Sequence, residues 1–426
     1  MKFVHAADLH IDSPLRGLDR YEGAPHERLR GATRRALENL VALCIEESAS
    51  FLLLAGDVFD GGWKDYSTAL FFAAQMARLK EAQIPVVMIR GNHDAASSVA
   101  KALSLRLPGN VHELSSKKPE TFTIEGLGVC VHGQSFEKRV TSDDLASKYP
   151  ARVAGAFNVG LLHTCVDGRE GHEPYAPTSL ATMRGKGYDY WALGHIHARE
   201  VLSEDPWIVF PGNLQGRHAR ETGPKGASLV TVEDGAVARV EHRALDVIRW
   251  EMVEVDVATA NDAMDAVDRV KAALLERSSH ADDRLLAARV VLTGATKANG
   301  GIRRDEARFV SELRAAAMSD LGDSVFLEKV LVRTRSTFDA DRVREEAGAV
   351  GHLARRLAQI KSDPKELAEL AQIVAELDKR LPAELREGDD PLVLTDPAVL
   401  GAMLEDVEQM LLPRLLEGRE PNGKEG

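Results

Sequence analysis

Phe51-Leu52-Leu53-Leu54-Ala55-Gly56-Asp57-Val58-Phe59-Asp60 decides how this chain folds. Five apolar residues in a row, closed by a glycine, suit a β-strand buried on both faces and are too few for an ordinary helix. Gly56 then allows a tight turn, and two carboxylates follow. In layered α/β folds ligands bind beyond the carboxyl ends of the strands, so Asp57 is predicted at a sheet edge rather than in a core.

On either side the same pattern recurs. Apolar runs at residues 2–6, 85–90 and 188–193 lead into Asp8-Leu9-His10, Gly91-Asn92-His93-Asp94 and Gly194-His195-Ile196-His197, and the run at 158–163 ends on His163 itself. Runs at 128–132 and 207–210 complete the predicted strands, and a hairpin is predicted at 227–245 around Asp234-Gly235. Helical periodicity falls at 26–48, 66–82, 141–148 and 178–186, which makes an α/β layer. Beyond residue 250 the order changes to strand, helix, strand, helix, strand (251–257, 261–278, 285–292, 304–321, 325–332), an α+β unit. The remainder reads as helices broken at Asp363-Pro364, Leu381-Pro382 and Asp389-Asp390-Pro391, with a last amphipathic stretch at 396–416 and a polar, fraying end.

A chain of 426 residues exceeds what one core usually serves. Its net charge of −12 is uneven: 29 basic residues face 31 acidic ones in 1–250, and 25 face 35 beyond. A general nucleic-acid coat is disfavoured, but a basic channel over the near-neutral N-terminal part is not. Cys44, Cys130 and Cys165 are too few and too scattered for a disulfide framework or a zinc knuckle, and are predicted as small buried residues. No apolar run approaches the length of a membrane span, and Met1–Ala7 runs into charge without the apolar core of a signal peptide. A soluble, cytoplasmic protein is expected.

The polar clusters carry the chemistry. Asp-x-His and His-x-His set two side chains two residues apart, which in an extended segment point to one side and can chelate. Imidazole with carboxylate suits first-row divalent ions such as manganese, zinc, iron or nickel. Asp57 has two oxygens with which to bridge two ions, and Asn92 adds a neutral carbonyl. Two divalent ions outweigh two carboxylates and a hydroxide by about one positive charge, which matches one phosphodiester anion. Each cluster alone is more often a cap or a turn, but their joint occurrence, nearly all just beyond strand ends, is not.

The set Asp8-x-His10, Gly56-Asp57-x-x-Asp60, Gly91-Asn92-His93-Asp94, His163 and Gly194-His195-x-His197 resembles the calcineurin-like metallophosphoesterases. The opening Met1-Lys2-Phe3-Val4-His5-Ala6-Ala7-Asp8-Leu9-His10 is similar to their SbcD-type and YhaO-type DNA-repair exonuclease branch. The resemblance implies a layered β-sandwich flanked by helices at 1–245, a small α+β capping domain at 246–336, and a helical region at 337–426 that docks a partner. It implies two divalent ions, manganese foremost: one held by Asp8, His10, Asp57 and His197, the other by Asp57, Asn92, His163 and His195. His93 becomes the general acid on the leaving oxygen, with Asp94 as its orienting partner, and Asp60 fixes His10 or His93. The implied reaction is hydrolysis of DNA phosphodiesters, by exonuclease and also endonuclease action, in double-strand-break repair. The implied partners are DNA ends, an SMC-like coiled-coil ATPase and a second copy of the chain. The competing readings are a phosphodiesterase or phosphatase acting on nucleotides or other small phosphate esters, and a DNA- or ATPase-binding subunit whose site has decayed.

Other features admit two readings. Arg16, Arg20, Arg28, Arg30, Arg34 and Arg35, and again Arg217, His218, Arg220 and Lys225, could grip phosphates, but neighbouring acids such as Glu22, Glu27, Glu38 and Glu221 offer ordinary ion pairs. His5 and His132 each sit alone in a strand and are predicted as buried, hydrogen-bonded histidines. Phe59 and Tyr66 are predicted to pack on the sheet, leaving Trp63 as the candidate for stacking on a base. The amphipathic stretches at 343–360 and 399–416 either cover the second domain or dock on another chain.

Overall fold

The computed structural model describes residues 1–13, 28–29, 31–60, 66–96, 107–166, 175–337, 340–386 and 392–417. The predicted break at Asp389-Asp390-Pro391 and nearly all of the polar end lie outside these residues. The described chain divides into two compact units. One comprises Met1–Met252, Arg277–Arg289 and Asp323–Glu328, and the other Val253–Glu276, Val290–Gly322 and Lys329–Gly426.

The first unit holds β1 (Lys2–Ala6), β2 (Leu52–Ala55), β3 (Val86–Ile89), β4 (Val111–Glu113), β5 (Glu120–Ile124), β6 (Val129–Gly133), β7 (Phe157–His163), β8 (Tyr190–Gly194), β9 (Glu200–Glu204), β10 (Trp207–Phe210), β11 (Gly226–Glu233) and β12 (Ala236–Ala244). They form two six-stranded sheets, ordered β12-β11-β1-β2-β3-β4 and β5-β6-β7-β8-β10-β9. Strands β1 to β4 run parallel, as do β6, β7, β8 and β10, while antiparallel strands close every edge except that at β4. The parallel strands are the ones that carry the polar clusters, so those clusters emerge from one end of each sheet.

Alternation along the strands explains the layering. Phe3, Phe51, Leu53, Val87 and Ile89 of the first sheet meet Val129, Val131, Val159, Leu161 and Tyr190 of the second in a core between the sheets. Phe3 stacks on Phe51 with centroids 4.7 Å apart and meets Tyr190 edge-on at 5.2 Å, pairs that add about 0.5–1.5 kcal/mol each to the burial of their area. Val4, Ala6, Leu52 and Leu54 face the other way, against the helices Ala32–Glu46 and Tyr66–Glu81. The outer face of the second sheet buries Leu162, Trp191, Leu193 and Phe210 with Tyr149 and Met183. The first unit is thus a layered α/β sandwich flanked by helices.

One expectation is corrected. Residues 141–148 form only a 3-10 turn, Ala146–Lys148, because Thr141 to Asp143 are spread over the surface and offer no second apolar turn to bury. The helix predicted at 304–321 is Glu306–Leu321, begun by Asp305, whose carboxylate accepts the Arg308 N–H as an N-cap, and a separate short helix, Asn299–Arg304, precedes it.

In the second unit Asp363 caps the helix Pro364–Arg380, with Pro364 at its first position, as the Asp-Pro pair predicts. Val343, Val350, Ala354 and Leu412 form a small core among the helices, and Arg344 pairs with Glu408 at 2.9 Å. No helix among the described residues is long and apolar enough to cross a membrane.

Candidate metal centre

The segments after β1 and β2 run side by side, tied by Asp8 N–H to Gly56 O (3.0 Å), His10 N–H to Asp57 O (3.1 Å) and Ile11 N–H to Val58 O (3.0 Å). Here the structure corrects the geometry expected of Asp-x-His. Asp8, His10 and Asp57 are not extended but left-handed, at φ of 51°, 42° and 51°, and His195 lies at 106°. Side chains therefore converge through turns rather than through strand alternation. Such backbone costs about 1 kcal/mol or more per residue, and it persists where the surroundings overdetermine it, as at functional sites.

Glycines let the segments close in. A Cβ on Gly91 would stand 2.3 Å from Asp57 Oδ1, and one on Gly194 would stand 2.0 Å from the Ala55 carbonyl and 3.0 Å from His163 Nδ1. Strand ends β2, β3, β7 and β8 thereby meet at a single point.

All seven predicted ligand residues are brought together. Ligand atoms of Asp8, His10 and His197 lie within 4.8 Å of one another, as do those of Asp8, Asp57 and His163. His163 Nε2 is 2.9 Å from Asn92 Oδ1 and 3.4 Å from Asp57 Oδ2. His195 belongs to neither cluster by ligand-atom distance, but its ring centroid is 5.2 Å from that of His163 and its N–H donates to Asp8 Oδ2 at 2.9 Å.

The donor set has the chemistry a metal requires. The Ala55 carbonyl can only accept, so His163 carries one proton on Nδ1, and its Nε2 faces two oxygens that favour a cation there, a proton or a metal ion. By the same logic His197 gives Nδ1–H to Glu221 Oε1 at 2.7 Å and turns a bare Nε2 to His10 Nε2 at 3.3 Å. Buried His10 Nδ1 has no hydrogen-bond partner. The Nε2 of His197 and the carboxylate oxygens of Asp8 and Asp57 turn lone pairs toward one place, where a cation can gather them. The electrostatics agree: burial opposes protonation of His163, but the charge and hydrogen bond of Asp57 and the charge of Asp8 drive it up to about 9. The residues fit divalent metal ions.

His93 stands beside this set with its ring centroid 4.9 Å from that of His10. Its Nδ1 meets Asp60 Oδ1 at 2.7 Å, and Asp60 Oδ2 accepts from the Ser13 hydroxyl at 2.8 Å. Burial pulls the His93 pKa down, but the Asp60 hydrogen bond and the charges of Asp57 and Asp60 raise it above its ordinary value.

Asp94 does not orient His93. Its buried carboxylate accepts the N–H groups of Phe59 (2.8 Å), Gly91 (3.1 Å) and Val58 (3.2 Å), so it pins the β2 and β3 loops together. Burial and the neighbouring charge of Asp57 lift it to about 7, against those three bonds. Asp94→Ala strands three buried donors and should lower unfolding free energy by about 2–4 kcal/mol in urea titration. A loss below 1 kcal/mol would contradict this role.

Sequence reasoning missed Glu221, which it read as an ordinary surface ion pair. Glu221 Oε2 also accepts from Asn213 Nδ2 (2.8 Å) and the Arg217 N–H (2.7 Å), so the loop after β10 fixes the tautomer of His197. Partners of this kind typically set 10- to 100-fold in metal affinity. Glu221→Ala should weaken divalent-metal binding by about that factor in calorimetry, and unchanged affinity would refute the coupling.

Several residues are accounted for elsewhere. His5 bridges to Tyr190 Oη and Leu193 O, and His132 to Thr121 and Asn158, both as structural histidines. Phe59 is in the core; Cys44, Cys130 and Cys165 are buried and free. Arg34 is held by Asp12 through two bonds, Arg28 and Arg35 donate to backbone carbonyls, and buried Lys225 donates to His197 O. Arg16, Arg20, Arg30, Glu22, Glu27, Trp63 and the Tyr66 side chain lie outside the described residues.

Comparison with known families matches residues 1–199 to the calcineurin-like phosphoesterases, the span that contains all seven ligand residues and His93. These residues are a calcineurin-like metallophosphoesterase domain. Residues 250–335 match the middle domain of the metallophosphoesterase YhaO. The uncharacterized metallophosphoesterase YhaO of Bacillus subtilis is 39% identical over 266 residues, 62% of this chain and 64% of its own. The DNA double-strand break repair protein Mre11 of Methanopyrus kandleri is 28% identical over 283 residues, 60% of this chain and 57% of its own. The chain thus spans less than two thirds of either relative. A dimetal phosphatase from Danio rerio overlaps with a TM-score of 0.36 at 12% identity over 55% of this chain and 93% of its own, too slight a likeness to add to the fold.

Proposed function

We propose that this metallophosphoesterase is a DNA nuclease, acting on phosphodiesters with two divalent ions of which manganese is the first choice. The observation that carries the phosphoester chemistry is the meeting of seven metal-type ligands beside the His93–Asp60 pair. The DNA half of the proposal is supported by the likeness to Mre11.

Asp8, His10, Asp57 and His197 would hold one ion, and Asp57, Asn92, His163 and His195 the other. Bound there, the ions supply Lewis acidity for attack on the phosphorus. His93 supplies the proton. With Nδ1–H given to Asp60 and the ring's hold on a second proton strengthened, the transferable proton sits on Nε2, where it can pass to the leaving oxygen.

In this reading residues 1–245 cut, 246–336 form a capping domain that presents DNA, and 337–426 dock an SMC-like ATPase in the cytoplasm, with a second copy of the chain alongside. Supporting the docking, Ile373 and Leu377 stand one turn apart on the helix Pro364–Arg380 and are 75% and 57% exposed. The test is cleavage of end-labelled single- and double-stranded DNA with manganese, beside hydrolysis of bis-p-nitrophenyl phosphate. Hydrolysis of the small ester with intact DNA ends would replace the nuclease by a phosphodiesterase on small esters.

A further inference from the structure

Loop residues 211–221 bring one more charged group to the centre. Arg217 lies beyond residues 1–199, which match the calcineurin-like phosphoesterases. Its backbone is firmly set. The Arg217 N–H is bound by Glu221 Oε2, and the Gly216 carbonyl accepts the Trp250 indole N–H at 2.9 Å. A Cβ on Gly216 would meet Trp250 and the Glu221 carbonyl, each at 2.8 Å, so the turn has no slack.

The guanidinium is poorly satisfied within the protein. Arg217 Nε is buried without a hydrogen-bond partner. Nη2 is 3.3 Å from His197 Nδ1, but that nitrogen carries the proton given to Glu221, so the two groups are both donors. Glu221 Oε1 forms a 3.6 Å ion pair with the guanidinium but no hydrogen bond, and its partner oxygen is taken by Asn213 and the Arg217 N–H.

The positive charge nevertheless faces the site. Its Nη2 stands beside the ring of His197, whose Nε2 lies 3.3 Å from His10 Nε2, so the guanidinium adjoins the cluster of Asp8, His10 and His197. A permanent cation beside a centre made for two divalent cations is repelled by them. An anion shared between them reverses the sign of that interaction, and a guanidinium suits a phosphate oxygen because its planar fork can donate twice.

We propose that Arg217 contacts the substrate, donating to a non-bridging oxygen of the phosphoester and stabilising the charge gathered there during cleavage. The role rests on the phosphoesterase reading, and Glu221 and Trp250 preorganise it so that little ordering remains to be done on binding.

The test uses the full-length, manganese-loaded protein, with inorganic phosphate as probe. Arg217→Ala should weaken phosphate binding by calorimetry at least about 10-fold and lower kcat/KM on bis-p-nitrophenyl phosphate by about 100-fold, with metal content unchanged. Arg217→Lys should recover only a small part, since an ammonium lacks the fork. Phosphate affinity within twofold of the parent in both variants would overturn the proposal. So would metal content falling in step with activity, because Arg217 would then act through His197. Should Arg217→Ala fail to fold, Arg217→Lys decides by the same two readouts. If the parent protein does not hydrolyse the ester, the phosphoesterase reading fails separately, and the phosphate titration still judges Arg217.

Discussion

His93→Ala is expected to lower phosphodiester hydrolysis by about 10²- to 10⁴-fold while the protein keeps its metal. The reasoning is geometric. His93 shares the site with His10, yet its Nδ1 is spent on Asp60, and its N–H, not its ring, touches Asp57. Removing the ring therefore takes away a proton donor and breaks the group of His10, Asp60 and His93, but leaves the ligand clusters of Asp8, His10, His197 and of Asp8, Asp57, His163 whole. Asp60→Asn should give a smaller loss of the same kind, because it keeps an acceptor for Nδ1 but removes the charge that strengthens the ring's hold on its proton. Elemental analysis with single-turnover cleavage separates the two effects. A metal-replete His93→Ala protein that cleaves at the parental rate would eliminate His93 as the acid, and one that has lost its manganese would make it a ligand instead.

How far the sequence reaches can be seen from which residues it places. Strands β1, β2, β3, β7 and β8 were legible because each is buried on both faces and so reads as a mostly apolar run. β4, β5 and β9 were not, since they lie at or near sheet edges, half-buried, and Val111-His112-Glu113 or Glu200–Glu204 carry no apolar face to mark them. Asp8, Asp57 and His195 could be named as candidates from residue type and place after a strand. Their left-handed backbone could not, because it is imposed by bonds between segments some 50 residues apart, such as Asp8 N–H to Gly56 O. The same distance hides the pairings. Asp94 adjoins His93 in the chain, but the donors that claim it are on Val58, Phe59 and Gly91, whereas Asp60, 33 residues from His93, takes the imidazole. Glu221 is flanked by Arg217, His218 and Arg220 and so resembles a surface ion pair. Only the fold brings it to His197, where burial makes it structural.

Asp57→Asn, in contrast to His93→Ala, should abolish metal retention and hydrolysis together. Asp57 is 2% exposed and lies between the clusters, with Oδ2 at 3.4 Å from His163 Nε2 and 4.0 Å from His10 Nε2. Burial works against its charge, yet the facing histidines, His163 foremost, hold its carboxyl well below the usual range, so it remains an anion at any working pH. Alanine would also strand the His93 N–H that Oδ1 accepts, and a misfolded loop could then mimic a lost ligand. Asparagine keeps that acceptor and the volume and removes only the charge. With one of two carboxylates gone, the same cations must be held against mutual repulsion by imidazoles and an amide, so bound manganese should fall from as many as two ions per chain to fewer than one. Cleavage should fall below detection. The parental unfolding midpoint, measured with chelator present, would establish that the fold survives. An Asp57→Asn protein that still binds two ions at the parental affinity would remove Asp57 from the bridging position and, with it, the division of the seven residues into two shells that share it.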